Sequence, residues 1–430
     1  MEKQHTNRKE CSVKNSNPTT FQFSHHPLPI RFLNWFGKAA ECCGISLVSL
    51  SETSLLKAAY RRTGLYDWGD DSFRIPMKIL LASLEEEAKF NLVGRQMFRQ
   101  DTIKILINRL RIQDELKRHP EILQEKINRP LFIIGLPRTG TTLLHNLLAQ
   151  DPSSRALLTW EMLFPWPPPE RHTRETDPRI AKTKRRLRQL LYLAPNFNTI
   201  HPVDAKAPNE CMFLLQYSFL CRGAFELIAP VRRYIKWLGT QDMVPVYLYY
   251  RQLLQLLQWR CSAHHWVLKA PVHMFSLDAL LTVFPDACVV HMHRDPCKVV
   301  PSCCSLFATF KGMYSDHLDV KRLGQECTDR LADMVVRAIK VRDSTDHSTF
   351  FDVHYKNLLK DPIDIVHQIY AYFGYNYTNH MEERMHRWLS ENPQHKHGIH
   401  RYSLEQFYLD PAVIKTRFSK YFERFKISIE

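Results

Sequence analysis

In the stretch PLFIIGLPRTGTTLLHNLLAQDP (130–152), two glycines, one arginine and three threonines are spaced so that they could hold an anion. Gly135 and Gly140 keep the separation of the phosphate-cradling P-loop pattern G-x-x-x-x-G-K-[ST], and Thr142 keeps its hydroxyl. Thr141 stands where that pattern places the lysine that reaches the terminal phosphates, which disfavours a site hydrolysing nucleoside triphosphates. What survives is a loop whose glycines permit tight turns and close backbone approach. It leads into a helix that offers free N–H groups and a positive dipole end. Arg138 adds a fixed charge, and Thr139, Thr141 and Thr142 add donors. Any strand-to-helix loop calls for small residues and a cap, which explains the glycines and threonines but not Arg138.

A second constellation lies in VVHMHRDPCKVVPS (289–302), where Arg294 ends an apolar run, Pro296 suits the first turn of a helix, and Ser302 follows Arg294 by eight residues. Two separate strand-to-helix junctions, each presenting an arginine with hydroxyls, point to a ligand with two separate phosphates.

The elements that must position these residues are legible as apolar runs alternating with helical periodicity. Strands are expected at Leu131–Ile134, Trp266–Pro271, Ala287–Pro296 and Thr349–Tyr355, and the leucines at 143, 144, 147 and 148 predict a helix after the first. The alternation predicts an α/β fold: a P-loop-like parallel β-sheet flanked by helices. Residues 1–28 are polar and are expected to form a disordered tail. Residues 29–128 read as a helical N-terminal extension, with SETSLLKAAYRRTG closing on Gly64. Residues 129–430 then read as the α/β domain that carries both constellations. Over a hundred residues separate the first two of these strands, including FPWPPPE (164–170), and such a helical insertion at strand carboxyl ends is where a substrate pocket is built. Within it, the stripe Phe213, Tyr217, Phe219 reads first as core, with a pocket wall as the compatible alternative.

Composition narrows the function classes. Of 430 residues, 44% are hydrophobic, enough for a substantial core, and Lys plus Arg exceed Asp plus Glu by 59 − 44 = 15. That excess favours anionic ligands, but neither an RNP-type aromatic motif nor zinc-finger spacing is present, so no nucleic-acid partner is expected. KTKRRLRQ (182–189) reads as a solvated helix face. Eleven cysteines without disulfide or metal spacing fit a reducing compartment, and the polar N-terminal stretch and lack of long apolar runs predict a cytoplasmic chain without a membrane span.

Taken together, GLPRTGTTLL and HRDPCKVVPS resemble the two signatures of the sulfotransferases that use 3′-phosphoadenylyl sulfate (PAPS), in particular the broad bacterial-type group. The resemblance spans residue 130 to the C-terminus, and the group's helical lead-in is also similar to TGLYDWGDDSFRIPMKILLASLEEEA. It implies that Pro137, Arg138, Thr139, Gly140, Thr141 and Thr142 hold the 5′-phosphosulfate end, and that Arg294 and Ser302 hold the 3′-phosphate. HYKNLLKDP is similar to a Y-E-D-L-x-x-D-P segment, which implies that Tyr355 contacts adenine, although Lys356 and Asn357 replace the acidic pair. HKHGIHRYSLEQFYLD resembles a late loop that closes over the donor, making Lys396, Gly398, Arg401 and Tyr402 candidate contacts. WVLKAPVH resembles the L-K-[ST]-P segment whose lysine neutralises charge on the bridging oxygen, here Lys269. PAP is then the product.

Transfer needs a base for the acceptor's proton. Glu161, in LTWEMLFP after what looks like the second strand, leads: it resembles the catalytic glutamate of tyrosylprotein sulfotransferases, and its aromatic neighbours would desolvate it. Glu210 in KAPNECMFLL also reads as an ordinary first-turn helix charge. His273 aligns loosely with a strand-end histidine of cytosolic sulfotransferases and also reads as a satisfied pocket-edge ring. No metal is expected, because the histidines of HKHGIH lack cysteine or carboxylate partners at matching spacing. The acceptor expected is a hydroxyl of a mainly apolar small molecule or lipid, and a homo-oligomer stays open. The rival readings are a P-loop-type kinase and a non-catalytic PAP-binding protein.

Overall fold

The computed structural model describes residues 26–195, 197–393, 396 and 402–430; the expected tail lies almost wholly outside them. One sheet of five parallel strands has the order β2-β3-β1-β4-β5, with β1 at Leu131–Gly135, β2 at Ser154–Ala156, β3 at His265–Lys269, β4 at Cys288–His293 and β5 at Phe350–His354. The four longer strands are those the apolar runs predict, with ends moved by at most three residues. Pro271 and Pro296 cannot donate to a ladder and open the next helical turns instead, which is why β3 and β4 stop before them. Every residue of β1, β3 and β4 is buried, as parallel strands covered on both faces require.

Register fixes where chemistry can occur. Ile133 pairs with Lys269 on one side, and Gly135 pairs with Met292 on the other, so the carboxyl ends of β3, β1 and β4 emerge side by side. Those ends carry Lys269, the glycine loop and Arg294.

Among the described residues, four α-helices precede the sheet: α1 Leu28–Cys42, α2 Glu52–Thr63, α3 Arg74–Glu87 and α4 Leu92–Arg118. Ser51 caps α2 by accepting from the Ser54 N–H, and Gly64 ends it at φ +70°. The lead-in packs into the insertion: Asn108 Nδ2 donates to the Tyr217 hydroxyl at 2.7 Å and Arg109 Nη1 to the Tyr217 carbonyl at 2.8 Å. Glu87 accepts from the backbone N–H groups of Arg232 and Arg233. Leu55, Leu106 and Leu254 accordingly belong to one apolar cluster.

The interior also holds uncharged histidines. Burial pushes His145 and His273 down to about 3, and His265 and His293 down to about 4. Unfolded, such rings take up a proton near 6.5, so the unfolded chain binds more protons as pH falls. Stability is therefore complete above that value and is lost towards pH 4, at up to about 1.4 kcal/mol per pH unit for each ring. Thermal unfolding followed by circular dichroism is expected to show Tm lower by more than about 5 °C at about pH 5.5 than at about pH 7.5. An unchanged Tm would show that these rings titrate alike in both states.

Candidate active site

The glycine loop is shaped by positions that tolerate little else. A Cβ on Gly135, at φ +142°, would lie 2.6 Å from the Met292 carbonyl oxygen, so glycine is what lets β1 and β4 close together there. Arg138 at φ +68° and Gly140 at φ +87° then fold the loop back, and buried Thr139 braces it by donating to the Leu136 carbonyl at 2.7 Å. The helix α5, Thr141–Leu148, starts directly after Gly140 with no side-chain cap. Its first-turn N–H groups have no intrahelical partner and, with the loop, line a concavity of a kind that suits an anion.

The second junction closes on the first. Arg138 Nε donates to the Ser302 hydroxyl at 3.1 Å, and Arg138 Nη1 donates to the Ile200 carbonyl at 3.0 Å. Arg294 Nη1 donates to the Arg138 carbonyl at 2.9 Å, and its guanidinium lies 4.0 Å from the centre of the Tyr355 ring. A Cβ on Gly140 would lie 2.9 Å from that same ring. Arg138, Gly140, Arg294, Ser302 and Tyr355 thus form one cluster. A carboxylate already reaches it: Glu430 Oε2 accepts from Arg294 Nε at 3.3 Å while the Glu430 N–H donates to Asp295. The cluster therefore suits an anionic group beside an aromatic ring.

At the end of β3, Lys269 is 2% exposed and its Nζ donates to Glu210 Oε1 at 2.7 Å. The Lys269 carbonyl accepts from the Cys211 N–H at 3.0 Å, tying the segment that carries Glu210 to the strand. Glu210, Asn209, His201 and Pro137 wall part of a cavity of about 770 Å³, and most of the remaining wall is apolar, including Met97, Leu163, Phe213 and Phe310. Burial, then the Lys269 and Arg138 charges, pushes His201 down to about 4, so its ring is neutral at neutral pH. The arrangement sets a buried cation, a carboxylate and a phosphate-type cradle at one end of an apolar chamber.

Other expected residues fall elsewhere. Glu161 is completely buried: one oxygen takes Arg155 Nη2 at 2.8 Å and Arg174 Nε at 3.0 Å, and the other accepts from the Leu158 N–H. It does not wall the cavity, and its desolvated setting is neutralised by arginines rather than left open to an acceptor. His273 is fully buried with Nδ1 2.8 Å from the Tyr247 hydroxyl and its ring against Phe132, so it faces the core and not the chamber. Of the three candidate bases, only Glu210 meets Lys269. Lys396 is exposed and donates to the Glu391 carbonyl and to Asn392, while Tyr402 is half-buried; Gly398 and Arg401 lie outside the described residues, as do His395, His397 and His400. In the aromatic stripe, Tyr217 and Phe219 are core, whereas Phe213 lines the cavity.

Among the described residues, one group has metal-ligand spacing: His291, His293 and Asp352. Arg342 fills it with its own cation, bonding His291 Nδ1 at 2.9 Å and Asp352 Oδ1 at 2.6 Å. The group braces β4 against β5. Two residues at the site escape sequence reasoning. His201 sits in HPVDAKAPNE, whose only signal is a polar interruption of an apolar insertion, and Glu430 reaches Arg294 from far along the chain with no local signal at all.

Residues 130–379 match the sulfotransferase family. The fold is similar to the crystal structure of sulfotransferase STF9 from Mycobacterium avium, with 31% identity, a TM-score of 0.83, and 90% of this chain and 99% of that chain covered. It is likewise similar to sulfotransferase STF1 from Mycobacterium tuberculosis H37Rv, with 32% identity, a TM-score of 0.77, and coverage of 86% and 98%. A further relative, 26% identical over 64% of this chain and 71% of its own length, is the omega-hydroxy-beta-dihydromenaquinone-9 sulfotransferase Stf3 of Mycobacterium bovis.

Proposed function

Because the chain belongs to the sulfotransferase family and is an enzyme, we propose that it moves the sulfuryl group of PAPS to a hydroxyl on a long apolar acceptor. The observation that carries this reading is the Lys269–Glu210 pair, 2.7 Å apart, which brings the end of β3 to the wall of the apolar cavity. PAPS supplies the sulfuryl group for in-line transfer and departs as PAP.

The chain's own groups divide the work. The loop from Pro137 to Thr142 and the start of α5 hold the phosphosulfate end with backbone N–H groups and hydroxyls. Arg294 and Ser302 hold the 3′-phosphate, with Tyr355 against the base. Lys269 neutralises charge gathering on the bridging oxygen, in a site where water screens little. Glu210 accepts the acceptor's proton as the acceptor oxygen bonds to sulfur and the bond to the bridging oxygen breaks. His201, neutral and beside Glu210, orients the hydroxyl as a hydrogen-bonding partner. The apolar walls hold the acceptor's chain by the area they remove from water. A relative bears the name of an omega-hydroxylated menaquinone sulfotransferase, and a terminal hydroxyl on a long apolar chain is the acceptor class we extend to this protein.

Labelled PAPS incubated with the protein and a series of primary alcohols tests this directly. Transfer whose kcat/KM climbs with alkyl length is expected; preference for a sugar or peptide hydroxyl would overturn the acceptor reading. The donor cradle is tested separately by calorimetry with PAP. Arg294→Ala is expected to weaken binding by about ten- to a hundredfold, since it removes charge-assisted hydrogen bonds. Glu430→Gln is expected to strengthen binding by a few-fold by removing the carboxylate that occupies Arg294. Equal affinities across the three proteins would place the 3′-phosphate elsewhere.

A further inference from the structure

The helical lead-in presents an apolar face that the core does not use. α1 sits on α4 through a narrow strip: Asn34 and Gly37 are its buried residues, Asn34 Oδ1 accepts from the Val93 N–H at 3.1 Å, and a Cβ on Gly37 would lie 2.4 Å from that of Leu92. On the opposite side, Leu28, Phe32, Trp35 and Phe36 recur at i, i+4, i+7 and i+8, the spacing of one helix face. Phe32 and Trp35 are each 64% exposed, and Leu28 is 75% exposed. Ile45 and Leu47, in the turn that follows, are exposed as well. Scattered surface hydrophobics are ordinary, but a contiguous apolar face containing three aromatic rings marks an interaction surface.

Two observations identify its occupant. The first is continuity with the acceptor chamber. Leu33, the neighbour of Phe32, and Val48, the neighbour of Leu47, both wall the 770 Å³ cavity that also contains Glu210. The face therefore adjoins the cavity's own lining. The second is charge. Arg31 and Lys38 lie along the flank of the aromatic face, and the chain as a whole carries +15. Trp and Phe on one side of a helix with Arg and Lys beside them is the composition of a helix lying in the plane of a membrane interface, drawn there by apolar burial and by anionic headgroups.

We propose that α1 and the Ile45–Leu47 turn seat the enzyme on the surface of an anionic lipid bilayer, without spanning it, and place the cavity's mouth against the lipid. An apolar acceptor then passes from bilayer to cavity without crossing water. That route rests on the acceptor reading above; the docking surface itself does not.

The test uses the full chain and vesicles of phosphatidylcholine with or without phosphatidylglycerol, in a flotation assay. Wild type is expected to float with the anionic vesicles, less with phosphatidylcholine alone, and less at high salt. The double substitution Phe32→Ser and Trp35→Ser is expected to weaken vesicle binding by at least about tenfold, the scale set by two lost aromatic insertions. PAP affinity and turnover of a short, water-soluble alcohol are expected to stay unchanged, which shows that the variant folds, while turnover of a vesicle-borne alcohol falls. Folded wild type that stays off anionic vesicles would overturn the proposal. So would sedimentation showing a dimer that the same substitutions dissolve, because the face would then be covered by a second copy. Vesicle binding without any sulfuryl transfer would instead strike at the acceptor reading and leave the docking surface standing.

Discussion

Lys269→Ala is expected to lower kcat by about a thousandfold while moving PAP affinity by less than about tenfold. The expected loss is electrostatic in origin. Lys269 Nζ is almost sealed from solvent, with 3% of the side chain exposed, so its charge acts through a weakly screening medium and not through water. A charge held ready where the leaving oxygen becomes negative stabilises the transition state more than the ground state, which is the condition for raising kcat. On the donor reading proposed above, the product is held mainly by the loop, Arg294 and Ser302, so binding is expected to survive. Single-turnover assays with labelled PAPS, alongside calorimetry with PAP, separate the two effects. Undiminished kcat would remove Lys269 from the chemistry. Loss of PAP binding in a folded variant would make it a donor-holding residue instead.

The parts of this site that could be read in advance are those written in local chain geometry. Gly135 and Gly140 announce themselves because their backbone angles and close contacts exclude a side chain, and that demand is satisfied within a few residues. The longer strands are legible because a parallel strand buried on both faces must be a continuous apolar run. β2 has no such run. Its three residues, Ser154 to Ala156, form a strand only because His265 to Val267 pair with them at the edge.

Which glutamate meets Lys269 is not legible for a different reason. Glu161 and Glu210 both follow or begin an element near apolar residues, and their difference is tertiary. Arg155 and Arg174 converge on Glu161, whereas Lys269, distant in sequence, converges on Glu210. No pattern within LTWEMLFP indicates that two arginines will close over it. The cavity is similar: its wall is assembled from α1, α4, the insertion and the helix Pro296–Tyr314, segments separated by most of the chain. The helical extension, which reads simply as a lead-in, is therefore part of the cavity wall.

The second large effect follows from that difference. Glu210→Gln is expected to reduce kcat for an aliphatic alcohol by about a hundredfold or more, with KM for the acceptor changed little, because glutamine keeps the shape and accepts from Lys269 but cannot take a proton. An aliphatic hydroxyl holds its proton tightly and needs a base as its oxygen attacks. An acidic phenol, already partly ionised near neutral pH, needs one much less. The loss on Glu210→Gln should therefore shrink steeply along a series of increasingly acidic acceptors, whereas a substitution that merely damaged packing would depress all of them alike. Glu161→Gln supplies the contrast. It removes the buried charge that Arg155 and Arg174 share, so it should lower stability, by about 3 kcal/mol or more, and not change the acceptor-acidity slope. If instead the loss on Glu161→Gln shrank steeply with acceptor acidity while the loss on Glu210→Gln stayed the same for every acceptor, the proton would be passing to Glu161, and the Lys269–Glu210 pair would have only a positioning role.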